Sequence, residues 1–256
     1  MLENVNLPTV STMSGDKHPT NCTVTMASTT EVTACKVGMW SSATAALSTL
    51  AFGILCCIGT TSATATTSSG VHYWCLFSCM PLAYSYLFMT LANKYCGKIT
   101  NMLFADCAIA FAIMYCTCNT LVYYVNITYV RLAKDNTTDA TLAVIQQPPP
   151  SAFFSIEILG YTYLGISAIF LAYSIANVSN SLLLLVWIHG ISAIVGFVIP
   201  LLEFVYEPQN ENDPFYVFIL IIWCAIFIPI CFLFGLQFQR QLQSYAINEH
   251  NVKKVE

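Results

Sequence analysis

The sequence predicts an all-α fold, a polytopic transmembrane bundle of about six helices. Three observations carry that expectation. The chain is 57% hydrophobic and only 9% charged, whereas an ordinary soluble domain is about a quarter charged. Its mean hydropathy is +0.66. Its apolar residues gather in runs of about 20 residues or more, the length a helix needs to cross a bilayer. A surface so poor in charge is suited to lipid, so the bilayer is the first partner implied. No basic patch suits a nucleic acid.

Residues 1–37 are rich in Thr and Ser and have no apolar period, which predicts a disordered polar tail. The spans follow at about 38–60, 71–92, 99–124, 152–176, 181–204 and 215–238, so the membrane domain covers 38–238. Residues 239–256 form a polar C-terminal tail. Pro81, Pro200 and Pro229 fall inside or near the ends of these runs. Neighbouring helices can satisfy the carbonyls that such prolines release. A second reading makes the first run a cleaved signal peptide, with Lys36 before it and Ala63-x-Ala65 after it. The polar stretch ahead is longer than an ordinary signal peptide carries, which favours a retained span.

Loop charges set the orientation. With the N-terminus inside, Lys17, Lys36, Lys94, Lys98, Arg240, Lys253 and Lys254 are cytoplasmic, and only Arg131 and Lys134 lie outside. Both termini are therefore expected in the cytoplasm. The outer loop of about 125–151 carries two glycosylation sequons, headed by Asn126 and Asn136, the latter farther from the membrane. Most of the twelve cysteines lie within apolar runs and are expected to serve as packing residues.

An ionisable group inside a span costs about 2.5–3.5 kcal/mol and so calls for a partner or a task. Three stand out: Asp106 in the third span, Glu157 in the fourth and His189 in the fifth. Asp106 and His189 lie roughly 10–12 Å from the cytoplasmic start of their spans, at about 1.5 Å per residue. If those spans face each other, the two side chains could share a hydrogen bond and a proton. Tyr84 and Ser85 lie at a comparable depth. The structural alternative is a bond that only pins helices together. Glu157 lies within the first two turns of its helix, where the partial positive charge of the helix N-terminus favours a carboxylate. Its level matches Asn119, Tyr123 and Tyr124, and its helical face carries Gly160, Tyr161, Leu164 and Ala168. Glu157 is thus expected to point into the bundle, as a helix clamp or as a ligand or proton site.

The sequence has no Gly-rich phosphate loop, His-x-x-x-His pair or Gly-x-Ser-x-Gly elbow, and its four histidines are scattered. Neither a metal nor a cofactor is expected. The stretches "FADCAIAFAIMYCTCNTLVYYVNITYVRL" and "PPPSAFFSIEILGYTYLGISAIFLAYSI" resemble a group of small bacterial six-span membrane proteins of unknown function. The matching positions are Tyr123, Tyr124, Asn126, Phe153, Glu157, Leu159, Gly160, Leu164 and Gly165. The likeness covers about residues 100–200 and implies the six-span fold and weight on Glu157. It carries no activity. Three functional readings follow. The first is a binding or transport-type module for a small molecule or lipid, with a polar pocket formed by Asp106, His189, Glu157, Asn119 and Tyr84. The second is a membrane assembly partner without a ligand site. The third is a lipid-modifying enzyme using Asp106 and His189.

Overall fold

A computed structural model describes residues 28–61, 65–96, 99–130, 152–175, 178–206 and 214–255. The described chain is a helical bundle. Its helices are α1 (Thr29–Thr61), α2 (Ala65–Cys96), α3 (Met102–Val125), α4 (Ala152–Ser174), α5 (Asn180–Tyr206) and α6 (Pro214–Val255). A short π-helical turn, Asn126–Val130, extends α3. Five segments are long and apolar enough to cross a membrane: Thr29–Leu55, Trp74–Cys96, Met102–Tyr129, Ser155–Ser174 and Ile222–His250. The apolar segment described within α5, Asn180–Gly196, is shorter.

The helix ends follow local chemistry as well as hydropathy. α1 begins nine residues before the apolar run because Ser28 and Glu31 form a capping box. Glu31 accepts from the Ser28 backbone N–H at 2.8 Å, and Ser28 Oγ accepts from the Glu31 N–H at 3.2 Å. Asn101 caps α3, its side chain accepting from Phe104 N–H at 3.3 Å. Ser179 caps α5 through Leu182 N–H at 3.2 Å. At the far end of the chain, α6 continues as helix through the polar segment 239–255.

The helices pack in a ring. Each touches its successor, and α6 closes the ring against α1. Lys36, Lys94 and Arg240 fall at one end of the ring, here termed the basic end. There the α2–α3 connection is tied to the end of α4, with Thr100 N–H donating to Ser174 O at 2.9 Å. Close approach is set by glycines. A Cβ on Gly165 would lie 2.7 Å from Gly190 O and 2.8 Å from Ala193 Cβ, so α4 and α5 meet backbone to backbone. A Cβ on Gly38 would lie 2.6 Å from the Phe238 ring and 2.8 Å from Ala92 Cβ, where α1 meets α6 and α2.

Polarity is sorted as lipid requires. Trp40 and Leu47 are each 68% exposed, and Phe77, Leu103, Ile191 and Phe232 also face outward. Ser42, Thr49, Thr90 and Asn93 are buried, and each bonds the carbonyl one turn back on its own helix. Tyr86, Tyr115, Tyr123, Phe227, Phe234 and Phe238 are the largest side chains sealed in the core. Cys79, Cys116, Cys224 and Cys231 are buried thiols packed among them.

Candidate functional site

The antiparallel pair α3–α4 builds the candidate site at the end opposite the basic end. Residues three and four apart share a helix face. On α3 that face carries Tyr115, Asn119 and Tyr123, all at most 1% exposed. On α4 it carries Glu157, Gly160 and Tyr161. A Cβ on Gly160 would overlap Asn119 Oδ1, so only glycine lets the Asn119 amide lie against α4.

Tyr123 is the hub. Its hydroxyl donates to Glu157 Oε1 at 2.9 Å, pairs with the Tyr161 hydroxyl at 2.8 Å and accepts from Asn119 Nδ2 at 3.4 Å. The expectation that Glu157 faces the bundle at the level of Asn119 and Tyr123 agrees with this geometry. Tyr124, placed at the same level by sequence, points outward and is 59% exposed. Glu157 and Tyr161 are half-buried, whereas Tyr115, Asn119 and Tyr123 beneath them are sealed. This polar cluster, termed the recess below, is half-buried at Glu157 and Tyr161 and sealed at the other three residues.

An aromatic wall runs from this recess toward the middle of the bundle. The Tyr161 ring lies 6.0 Å from Tyr115 and 5.7 Å, edge-on, from Trp223 of α6. Trp223 stacks on Phe227 at 5.2 Å, and His189 of α5 lies against both rings. His189 is 1% exposed. Among the described residues, neither of its ring nitrogens has a hydrogen-bond partner, and the same holds for Trp223 Nε1 and Asn119 Oδ1. Buried polar atoms without partners are uncommon in folded proteins. All four atoms belong to residues of the recess or its aromatic wall that touch Tyr123 or Tyr161, or lie one ring beyond.

Asp106 and His189 do not form the expected pair. α4 lies between α3 and α5 in the ring, so the third and fifth helices are not neighbours. Asp106 instead forms an ion pair with Lys94, across the short connection between α2 and α3 at the basic end. Its side chain is 54% exposed, against 19% for Lys94. Tyr84 also stands apart. It is 43% exposed and lines an outward groove of about 480 Å³ with Ile113, Thr117, Leu121 and Tyr124. Tyr86, two residues on and on the other side of α2, is the buried one. It donates to Ser167 Oγ at 3.0 Å, and Ser167 donates to Ala108 O at 2.7 Å, which links α2, α4 and α3.

Asn126 is 1% exposed and its amide donates to Val122 O at 2.9 Å. Asn136 lies outside the described residues. Sequence reasoning missed Tyr86, Tyr115 and Trp223. Nothing in the sequence separates these from the other aromatic residues of the spans. Tyr161 had a signal, its position four residues beyond Glu157.

Comparison with models of known protein families, with curated proteins and with solved structures finds no match for this chain.

Proposed function

We propose that this chain is a membrane-embedded binding or transport-type module, and that the recess around Glu157 is where it holds a small molecule or a lipid headgroup. The observation that carries the reading is the Glu157–Tyr123–Tyr161 contact, half-open at Glu157 and Tyr161 and closed beneath. A carboxylate is costly within a span. A helix clamp alone needs no such group, because Tyr86–Ser167 already ties α2 to α4 with neutral partners. Aromatic walls with a few convergent polar groups are the usual composition of a small-molecule site. Glu157 and Tyr161 supply the reachable polar contacts, Tyr123 and Asn119 fix their orientation, and Tyr115 and Trp223 shape the wall. Asp106 and Tyr84 fall outside the site in this reading.

The assembly-partner reading has its own support in the Gly165–Gly190 approach, which shows how much of the bundle rests on close packing. The enzyme reading loses the pair it relied on, since Asp106 and His189 stand in different parts of the bundle.

The test is native mass spectrometry of the purified full chain and its Glu157→Gln variant. The binding reading expects a small molecule or a discrete lipid retained by the wild type and lost from a folded variant. Identical retained species, with only a lower stability of the variant, would assign Glu157 to helix clamping.

A further inference from the structure

At the basic end, away from the recess, α1 and α2 bring two thiols together. Cys35 precedes the apolar run of its helix and Cys96 follows the run of its own, so neither belongs with the cysteines of the spans. α1 and α2 run antiparallel and approach closely where Gly38 meets Ala92. One turn back along α1 from Gly38 is Cys35, and one turn on along α2 from Ala92 is Cys96. The Cys96 thiol donates to Glu31 O at 3.5 Å, the carbonyl to which the helical pattern assigns the Cys35 N–H. A helical Cα–Cβ bond tilts toward the helix N-terminus, so the Cys35 side chain leans toward that same carbonyl. The two cysteine side chains interact directly. The Cys35 thiol also donates to Gln241 Oε1 of α6 at 3.5 Å. Cys35 is 0% exposed and Cys96 is 6% exposed. Cys96 is the last residue of α2, so it is the thiol nearer the end of the bundle.

We propose that Cys35 and Cys96 are a redox pair, which a low-molecular-weight disulfide oxidises to one disulfide bond tying α1 to α2. Cys96, the less sealed thiol, attacks first as its thiolate. Its sulfur bonds to one sulfur of the small disulfide, the S–S bond of that molecule breaks, and one small thiol leaves carrying a proton. Cys35 then attacks Cys96 Sγ in the mixed disulfide, and the second small thiol leaves with the other proton. The protein gives up two protons and two electrons, and the small disulfide takes them up as it becomes two thiols. Both protein S–H groups are consumed, so Glu31 O and Gln241 Oε1 lose their donors. Oxidation thus exchanges a hydrogen-bonded junction of α1, α2 and α6 for a covalent link between α1 and α2.

Peptide mapping by mass spectrometry tests this. The folded full chain in detergent micelles is equilibrated with oxidised glutathione, quenched with acid, alkylated with N-ethylmaleimide and digested without reductant. The proposal expects a peptide linked through Cys35 and Cys96, lighter than its two reduced halves by two hydrogen atoms. It expects that link to disappear when reduced glutathione replaces the oxidised form. Cys35→Ser removes the thiol that resolves the mixed disulfide, so glutathione should remain on Cys96 at a level about tenfold or more above that in the wild type. If the serine variant does not fold, the wild-type link and its reversal decide. Cys35 and Cys96 both alkylated and unlinked in the folded, oxidised wild type overturns the proposal. A link from either residue to a different cysteine also overturns it, as does a Cys35–Cys96 link that reduced glutathione cannot reopen.

Discussion

Gly160→Ala should uncouple the recess from the helix that carries it. The added Cβ would overlap Asn119 Oδ1 and come within 3.1 Å of Asn119 Cγ and 3.2 Å of Cys118 Cβ. Carbon atoms pack best at about 3.5–4.0 Å, so these contacts are several tenths of an ångström too close. Asn119 is 0% exposed and has no open space to swing into. Either α3 and α4 move apart or Asn119 leaves its place against Tyr123. Overpacking of this kind costs about 1–3 kcal/mol. Loss of the long Asn119–Tyr123 bond, which lies within α3, adds about 0.5 kcal/mol, the upper scale of a side-chain pair one turn apart on a helix. The expected sum is about 1.5–3.5 kcal/mol. In an Asn119→Ala background the main overlap is gone and only the Cys118 contact remains, so the cost of Gly160→Ala should fall below about 1 kcal/mol. Reversible unfolding of the four proteins in mixed detergent micelles gives the comparison. A Gly160→Ala variant within about 0.5 kcal/mol of the wild type would refute the reasoning, as would an equal cost in both backgrounds.

Other substitutions probe the remaining parts. Asp106→Asn should change stability by no more than about 1 kcal/mol in the same assay, because its ion pair with Lys94 is more than half exposed on the Asp106 side. His189→Phe should be neutral or stabilising. It keeps a ring against Trp223 and Phe227 while removing two buried nitrogens that have no hydrogen-bond partner among the described residues. A loss of more than 2 kcal/mol would mean those nitrogens are bonded in the folded protein. Ser28→Ala should cost about 0.5–2 kcal/mol and raise amide hydrogen exchange over the first turn of α1, since it removes half of the capping box.

The fold class was legible because bilayer length and charge depletion act on every span at once. Helix ends were less so. α1 starts at Thr29 because of Ser28 and Glu31, a short capping pattern inside a polar stretch that hydropathy passes over. The level and facing of Glu157 followed from counting residues along antiparallel neighbours, and Asn119 and Tyr123 lie where that count put them. Counting depth gave the wrong partner for Asp106, because depth does not say which helices are adjacent. The ring order sets α4 between α3 and α5, and Lys94 was nearer across a short connection. Tyr84 and Tyr86 show the same limit on a smaller scale. Two residues on a helix face different ways, and composition alone does not say which way is inward.

The central claim is that Glu157 and Tyr123 act as one unit between α3 and α4. A double-mutant cycle of Tyr123→Phe and Glu157→Gln, read by reversible unfolding in mixed micelles, tests it most directly. Tyr123→Phe keeps the ring and removes the hydroxyl that bonds Glu157 and Tyr161. The account predicts a coupling energy of about 0.6–1.7 kcal/mol, the span from average to strongest for hydrogen bonds between membrane helices. Costs that simply add, with coupling below about 0.3 kcal/mol, would contradict it.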